Sequence, residues 1–165
     1  MRSPERQEPA PGQESVWDYP RPAIAEHTPR RIRGWFAGQL IADSRAAWRV
    51  LETAHPPVYY LPRRDIEQGV LIPVSRRAFC EWKGQAHYFD LVKDGEIARA
   101  AAWAYPEPQA GFEPIAGHVA FHPRGLTAAM VDDMRAEPQP GRLYGGWVTP
   151  DIAGPFKGAP GSEYW

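Results

Sequence analysis

The sequence predicts a mainly β fold, a small single-domain antiparallel architecture with one short helix. Its 19 prolines and 15 glycines disfavour long helices and favour short strands joined by turns. Seven tryptophans and seven tyrosines supply the bulky side chains that strands accommodate well. An Asp-Gly pair, Asp94 and Gly95, lies between two apolar segments and is typical of a tight hairpin, because a type I′ turn needs two positive φ angles.

The predicted strands follow in order along the chain. They cover residues 31–36, 39–42, 58–62, 69–74, 85–93, 96–105, 115–123 and 126–133. The first two form a hairpin, the Asp-Gly turn joins 85–93 to 96–105, and the last two form a final strand pair. On the strand 96–105, alternation places four side chains on one face: Ile97, Ala101, Trp103 and Tyr105.

The one predicted helix covers residues 43–52, "DSRAAWRVLE". Asp43 or Ser44 would be its N-cap, since short side chains with an oxygen acceptor satisfy the first free N–H groups. An apolar stripe follows at helical spacing: Ala47, Val50 and Leu51. The helix would end before Pro56, because a residue that precedes proline leaves the α region.

The chain divides into three predicted regions. Residues 1–15 are polar and proline-rich, which predicts a disordered lead-in. Residues 16–134 form the β-rich domain. Residues 135–165 have little periodicity but many aromatic side chains, so we expect an irregular extension packed on the domain.

Composition excludes several function classes. A formal net charge of −1 gives no basic field for nucleic acid or for an anionic membrane. No segment has the roughly 20 apolar residues that span a bilayer, and no signal peptide is evident, so we expect a cytosolic protein. The single cysteine allows no intrachain disulfide and no multi-cysteine zinc site. No cofactor is predicted.

Four segments carry a family resemblance by their order and spacing. They are "DSRAAWRVLETAHPPVYYLPRRDI", "CEWKGQAHYFDL", "AAWAYPEP" and "IAGHVAFHP". Together they resemble Domain of Unknown Function family four-twenty-seven, which also carries a nucleotidyltransferase-like label. The resemblance covers roughly residues 17–165 and implies a small β-rich domain similar to the β-tent proteins, some of which bind zinc or hold a ligand in an aromatic cage. It implies no settled activity.

The residues give little support to the nucleotidyltransferase label. Such a site needs carboxylates that hold Mg²⁺ and a glycine-rich approach to phosphate. Asp132 and Asp133 are adjacent, so on a strand they would point to opposite faces. Gly145 and Gly146, with Asp151, lie in loop-like sequence, and no phosphate-binding loop motif is present.

Cys80 and Lys83 lie in a predicted loop before a strand. A thiolate activated by the ammonium could act as a nucleophile there. A small buried thiol beside a lysine that caps the turn is the favoured interpretation, because single cysteines of intracellular proteins are often inert. Lys83 is the better candidate for contact with a ligand.

The segment "WAYPEP" is the strongest candidate for a binding site. Trp103 and Tyr105 share a strand face and lead into a rigid loop that carries Glu107. Aromatic walls with one carboxylate suit a planar or cationic ligand. An ordinary pair of core aromatic residues followed by a strand terminator is equally compatible with this pattern. Only one of two adjacent tyrosines can face the same pocket, and we assign Tyr60 to it.

His118 and His122 would share a strand face, at a spacing too wide for two ligands of one metal ion. No third ligand is evident, so we predict no metal site. His118 suits packing or stacking beside the aromatic residues.

The sequence thus predicts a small-molecule binding module, for a nucleoside-like or cationic planar ligand. Its pocket would combine aromatic walls with polar contacts, from Tyr60, Lys83, Trp103, Tyr105, Glu107 and His118. Two alternatives stay open. One is a group-transfer or hydrolytic enzyme that uses Cys80 or the pair Lys83 and Glu107, and the other is a protein-interaction module that docks a partner through the C-terminal extension. The ligand and the oligomeric state are not predicted.

Overall fold

Short strands dominate the computed structural model, which describes residues 4–165. Within this range the strands are β1 (Glu14–Ser15), β2 (Ile24–His27), β3 (Ile32–Phe36), β4 (Gln39–Ser44), β5 (Trp48–Leu51), β6 (Val58–Pro62), β7 (Leu71–Cys80), β8 (Gly84–Lys93), β9 (Glu96–Ala104), β10 (His118–Phe121), β11 (Ala128–Val131), β12 (Met134–Arg135), β13 (Glu137–Pro138), β14 (Trp147–Val148) and β15 (Ile152–Ala153). The helical residues form single 3-10 turns at Val16–Asp18, Arg63–Asp65, Glu113–Ile115 and Pro123–Gly125. The prediction of a mainly β fold is confirmed.

Two antiparallel sheets enclose the main core. The larger has seven strands in the order β2-β5-β6-β10-β9-β8-β7, and the smaller has four in the order β12-β11-β3-β4. Ile32 of the smaller sheet and Leu61 of the larger belong to one buried cluster between them. Side chains alternate along a strand, so Tyr60 belongs instead to a second cluster on the opposite face of the larger sheet. That outer face carries the candidate site.

The helix predicted over residues 43–52 is wrong. Asp43 remains in β4 and binds Arg31, and residues 48–51 form β5 between β2 and β6. The hydroxyl of Ser44 accepts a hydrogen bond from Ala46 N–H at 3.0 Å, which closes a turn rather than capping a helix. Tertiary pairing with two neighbouring strands outweighs the modest helix propensity of this segment.

The predicted hairpin at Asp94 and Gly95 is confirmed, and both residues have the positive φ angles of a type I′ turn, +50° and +80°. Further from the turn, the pairing register between β8 and β9 changes at a bulge, and Asp90 stabilises this bulge. Its carboxylate accepts hydrogen bonds from Ala100 N–H at 2.7 Å and from Arg99 at 3.2 Å. The shared face predicted for β9 does not include Ile97, which lies between the turn and the bulge, is 52% exposed and does not line the cleft.

Two other local predictions are wrong. Residues 115–123 and 126–133 do not pair: β10 lies between β6 and β9 in the larger sheet, whereas β11 pairs with β3 and β12 in the smaller. The Pro123–Gly125 turn carries the chain from one sheet to the other. The predicted loop around Cys80 is mostly strand, because β7 continues through Cys80 and pairs it with Gly84 across a tight turn.

Both ends of the chain pack against the sheets. Trp147 is 1% exposed, and its indole N–H donates to Phe121 O at 3.0 Å. β15 pairs in parallel with β1, and Gln7 N–H donates to Gly154 O at 3.1 Å. The first three residues of the predicted disordered lead-in lie outside the described residues.

Candidate binding cleft

A row of side chains crosses the outer face of the seven-stranded sheet. Backbone pairing aligns Tyr60 of β6 with Ala120 of β10, Ala120 with Trp103 of β9, and Trp103 with Tyr88 of β8. Three aromatic rings therefore share one line across four strands. The small Ala120 lets the side chains of Tyr60 and Trp103 meet, and a cleft of about 750 Å³ opens along this row.

Contacts among the aromatic rings fix the floor of the cleft. The indole N–H of Trp103 donates to the hydroxyl of Tyr60 at 3.2 Å, which gives the 1% exposed phenol a polar partner. Burial raises the pKa of Tyr60 above its ordinary range, so the phenol is neutral. The Tyr88 and Trp103 ring centroids are 6.5 Å apart, and those of Tyr60 and Tyr105 are 6.4 Å apart. The half-buried rings of Trp103 and Tyr88 thus form the accessible part of the floor, and the buried rings of Tyr60 and Tyr105 support it.

Two cations lie over this surface. The Arg76 guanidinium carbon is 4.6 Å from the Tyr88 ring centroid, and Lys83 Nζ is 5.8 Å from that of Tyr105. Both distances allow cation–π attraction. Arg76 lies on β7 and Lys83 on the β7–β8 turn, so the hairpin supplies positive charge at one side of the cleft.

The C-terminal segment 139–145 supplies the opposite wall. Gly145 packs on the indole of Trp103, and a Cβ at this position would come within 2.4 Å of the ring. The ring centroids of Tyr144 and His55 are 4.7 Å apart in an edge-to-face arrangement. Glycine is needed at 145 because the backbone approaches the aromatic floor so closely.

A hydrogen-bonded chain fixes the protonation of His55 on this wall. Gln139 Oε1 accepts from Gly146 N–H at 3.1 Å, and its Nε2 donates to Lys157 O at 2.7 Å. This orientation of the amide leaves Nε2 as the donor to His55 Nδ1, at 3.0 Å. The imidazole proton therefore resides on Nε2, which lies 3.4 Å from a carboxylate oxygen of Glu52.

Burial dominates the electrostatics of this pair. It lowers the pKa of His55 to about 4, with smaller contributions from Lys157, Arg21 and Lys83. It raises the pKa of Glu52, against the opposing effect of nearby cations. His55 is therefore neutral at pH 7, its N–H faces the Glu52 carboxylate, and the remaining lone pairs of that carboxylate offer an acceptor to a ligand.

The structure brings together most of the residues that the sequence proposed. Lining the cleft are Tyr60, Cys80, Lys83, Trp103 and Tyr105. Glu107 and His118 lie outside the lining. Glu107 is exposed on the loop after β9, and His118 Nδ1 lies 3.1 Å from Ala116 O at the start of β10. Whether the lining residues bind a ligand remains a prediction.

Sequence patterns did not identify the other lining residues. Tyr88 faces Trp103 only because the Asp90 bulge shifts the register, and the turn at Gly95 alone would align Tyr88 differently. His55 precedes Pro56, at the predicted end of a helix, and that position gives no sign of a binding site. Gln139 and Tyr144 lie in a segment without periodicity. The proximity of "HPP" to "YGGW" could not be derived from either motif alone.

Comparison with known families gives one match. The family model described as a domain of unknown function (DUF427), with the label NTP_transf_9, matches residues 24–135. The chain belongs to the DUF427 family. No curated protein matches it. The match ends at the last residue of β12, so the wall formed by residues 139–145 lies beyond the part of the chain that the DUF427 model describes.

Two of the three carboxylates considered for the nucleotidyltransferase label, those of Asp132 and Asp151, are held in ion pairs. Asp132 binds Arg30 at 2.9 Å, and Arg30 binds Asp151 at 2.6 Å. Among residues 4–165, no group of three or more His, Cys, Asp or Glu side chains is placed to hold a metal ion. No helix in this range is long and apolar enough to span a membrane.

Proposed function

We propose that this DUF427 protein binds a small planar molecule in the cleft on the outer face of its seven-stranded sheet. The observation that carries the proposal is the pair of half-buried rings of Trp103 and Tyr88, with the buried Tyr60 holding the Trp103 indole by a hydrogen bond. Aromatic rings that border an open cleft rather than fill a core favour stacking with a flat ligand. A volume of about 750 Å³ lies within the usual range for small-molecule sites.

The partly exposed polar groups of the cleft support the same function. The N–H of His55 and the Glu52 carboxylate lie on one wall, and their side chains are 12% and 23% exposed. Polar groups that border an apolar cleft orient a ligand and confer specificity.

A second candidate function is an enzyme that uses Cys80. Its support is that Cys80 and Lys83 both line the cleft, at the turn that joins β7 to β8. Ligand binding alone does not need the thiol, whereas nucleophilic catalysis does. Cys80→Ser therefore separates the two functions.

The test is a screen of planar metabolites by saturation-transfer NMR, followed by calorimetry on those that bind. We predict that Trp103→Ala lowers the affinity at least about tenfold, because stacking on an aromatic ring is worth about 1–3 kcal/mol. Trp35→Ala, on the smaller sheet, is the matched control and should leave affinity unchanged. The proposal fails if Trp103→Ala retains full affinity while folded. Turnover of a bound compound that Cys80→Ser abolishes would instead support the enzyme.

A further inference from the structure

Positive charge dominates the ionisable side chains that line the cleft. Six are basic: Arg76, Lys83, Arg99, Arg124, Arg142 and Lys157. Two are acidic, Glu52 and Glu81. This excess contrasts with the whole chain, whose formal net charge is −1. A cleft with low-dielectric walls and one sign of charge concentrates ions of the opposite sign.

Most of these cations lack a carboxylate partner. Within residues 4–165, only Arg99 of the six lies within 4.0 Å of a side-chain carboxylate, that of Asp90. Elsewhere on the fold Arg31 binds Asp43 at 2.7 Å, and Arg49 binds Glu14 and Glu26 at 2.8 Å. The charge in the cleft is therefore available to a ligand, whereas that of Arg31 and Arg49 is neutralised within the protein.

Main-chain oxygen atoms orient two of the cations, and the oxygen that holds Arg124 is a neutral carbonyl. Arg124 donates to Gly141 O at 2.5 Å, and Lys157 Nζ donates to Trp165 O at 3.3 Å. Lys157 Nζ also lies 5.8 Å from the Tyr144 ring centroid. Because its acceptor is neutral, Arg124 keeps its attraction for an anion, and its fixed side chain loses less entropy on binding one.

The C-terminal segment contributes directly to this charge. Arg142 and Lys157 both follow residue 135, at which the family match ends. Arg142 is exposed and lies one residue after Gly141, whose carbonyl holds Arg124. The segment that packs Gly145 on Trp103 thus also brings positive charge to the edge of the aromatic floor.

We propose that the cleft selects a planar ligand that bears an anionic group, a phosphate or a carboxylate, and that Arg124, Arg142 and Lys157 bind this group. The inference rests on the proposed function and names the chemical class of its ligand. It replaces the cationic ligand that the aromatic residues alone allowed, because a cation would meet repulsion from unpaired basic side chains.

The test uses pairs of compounds that share a ring and differ in charge. They are riboflavin and flavin mononucleotide, adenosine and adenosine monophosphate, and indole-3-acetamide and indole-3-acetate. Calorimetry at low ionic strength should show that the anionic member binds at least about tenfold more tightly, since hydrogen bonds to charged groups are worth about 1.5–3 kcal/mol. The ratio should fall as salt is added.

Variants assign the effect to the C-terminal cations. Arg142→Gln should lower the ratio of affinities at an exposed position, without risk to folding. Combining it with Lys157→Gln should lower the ratio further, and Arg124 would account for the preference that remains. Arg45→Gln combined with Arg64→Gln makes the same change in net charge at exposed positions outside the cleft and should leave the ratio intact.

Two outcomes contradict the inference in different ways. Equal affinities within each pair, or a preference that the cleft variants leave undiminished, overturn the anion site and leave a planar-ligand module standing. If no member of any pair binds, the proposed function is overturned together with the inference.

Discussion

His55 shows how burial of a single residue makes stability depend on pH. Its pKa is about 4 in the folded protein, against an ordinary value of 6.5. The unfolded chain therefore binds a proton between these values while the folded protein does not. Stability from this residue is fully present above pH 6.5 and is lost as the pH falls to 4.

We predict that His55 accounts for a loss of about 3 kcal/mol in the free energy of unfolding between pH 7 and pH 4. Urea denaturation across this range measures the loss. His55→Gln should flatten the curve, because glutamine cannot be protonated. Burial also lowers the pKa of His122. The variant His122→Gln therefore measures how much of the pH dependence comes from that second histidine. An unchanged pH dependence in His55→Gln would contradict the account.

At the scale of elements, the Pro123–Gly125 turn packs directly on β9. A Cβ at Gly125 would lie 2.5 Å from the Cβ of Ala101, at the edge of the cleft. This contact fixes the distance between the turn, which carries Arg124, and the strand, which carries Trp103. Glycine is needed here for close approach and not for its backbone angles.

We predict that Gly125→Ala destabilises the protein by about 1–3 kcal/mol, the usual cost of overpacking. Combining it with Ala101→Gly removes the overlapping methyl group and should restore part of that loss. Thermal and urea unfolding of the four members of this double-mutant cycle measure the coupling. Additive effects of the two changes would show that the turn does not press on β9.

Elements with a strong local signal could be predicted from the sequence. The hairpin at Gly95 follows from the requirement for positive φ, and β6 follows from its aromatic and β-branched residues. The segment 43–52 could not be assigned correctly, because its apolar spacing suits a helix and only its pairing with β2 and β6 makes it a strand. The shift at Asp90 likewise depends on a side chain that no periodicity reveals.

At the scale of the whole molecule, the cleft depends on parts of the chain that are distant in sequence. Tyr60, Trp103 and the segment 139–145 meet because two sheets share a core and the C-terminal segment crosses the outer face of one of them. Local patterns identified several lining residues, among them Tyr60, Lys83, Trp103 and Tyr105. They could not identify the opposite wall, since nothing in the sequence brings Tyr144 to His55.

The indole N–H resonances offer the most direct test of the claim that a planar ligand binds on the aromatic floor. Trp103 borders the cleft, whereas Trp147 and Trp17 donate to Phe121 O and Pro155 O outside its lining. Titration of ¹⁵N-labelled protein with flavin mononucleotide, with the Trp103 signal assigned through Trp103→Phe, should shift the Trp103 resonance and leave those of Trp147 and Trp17 in place. Saturable binding that leaves the Trp103 resonance unmoved would contradict the account.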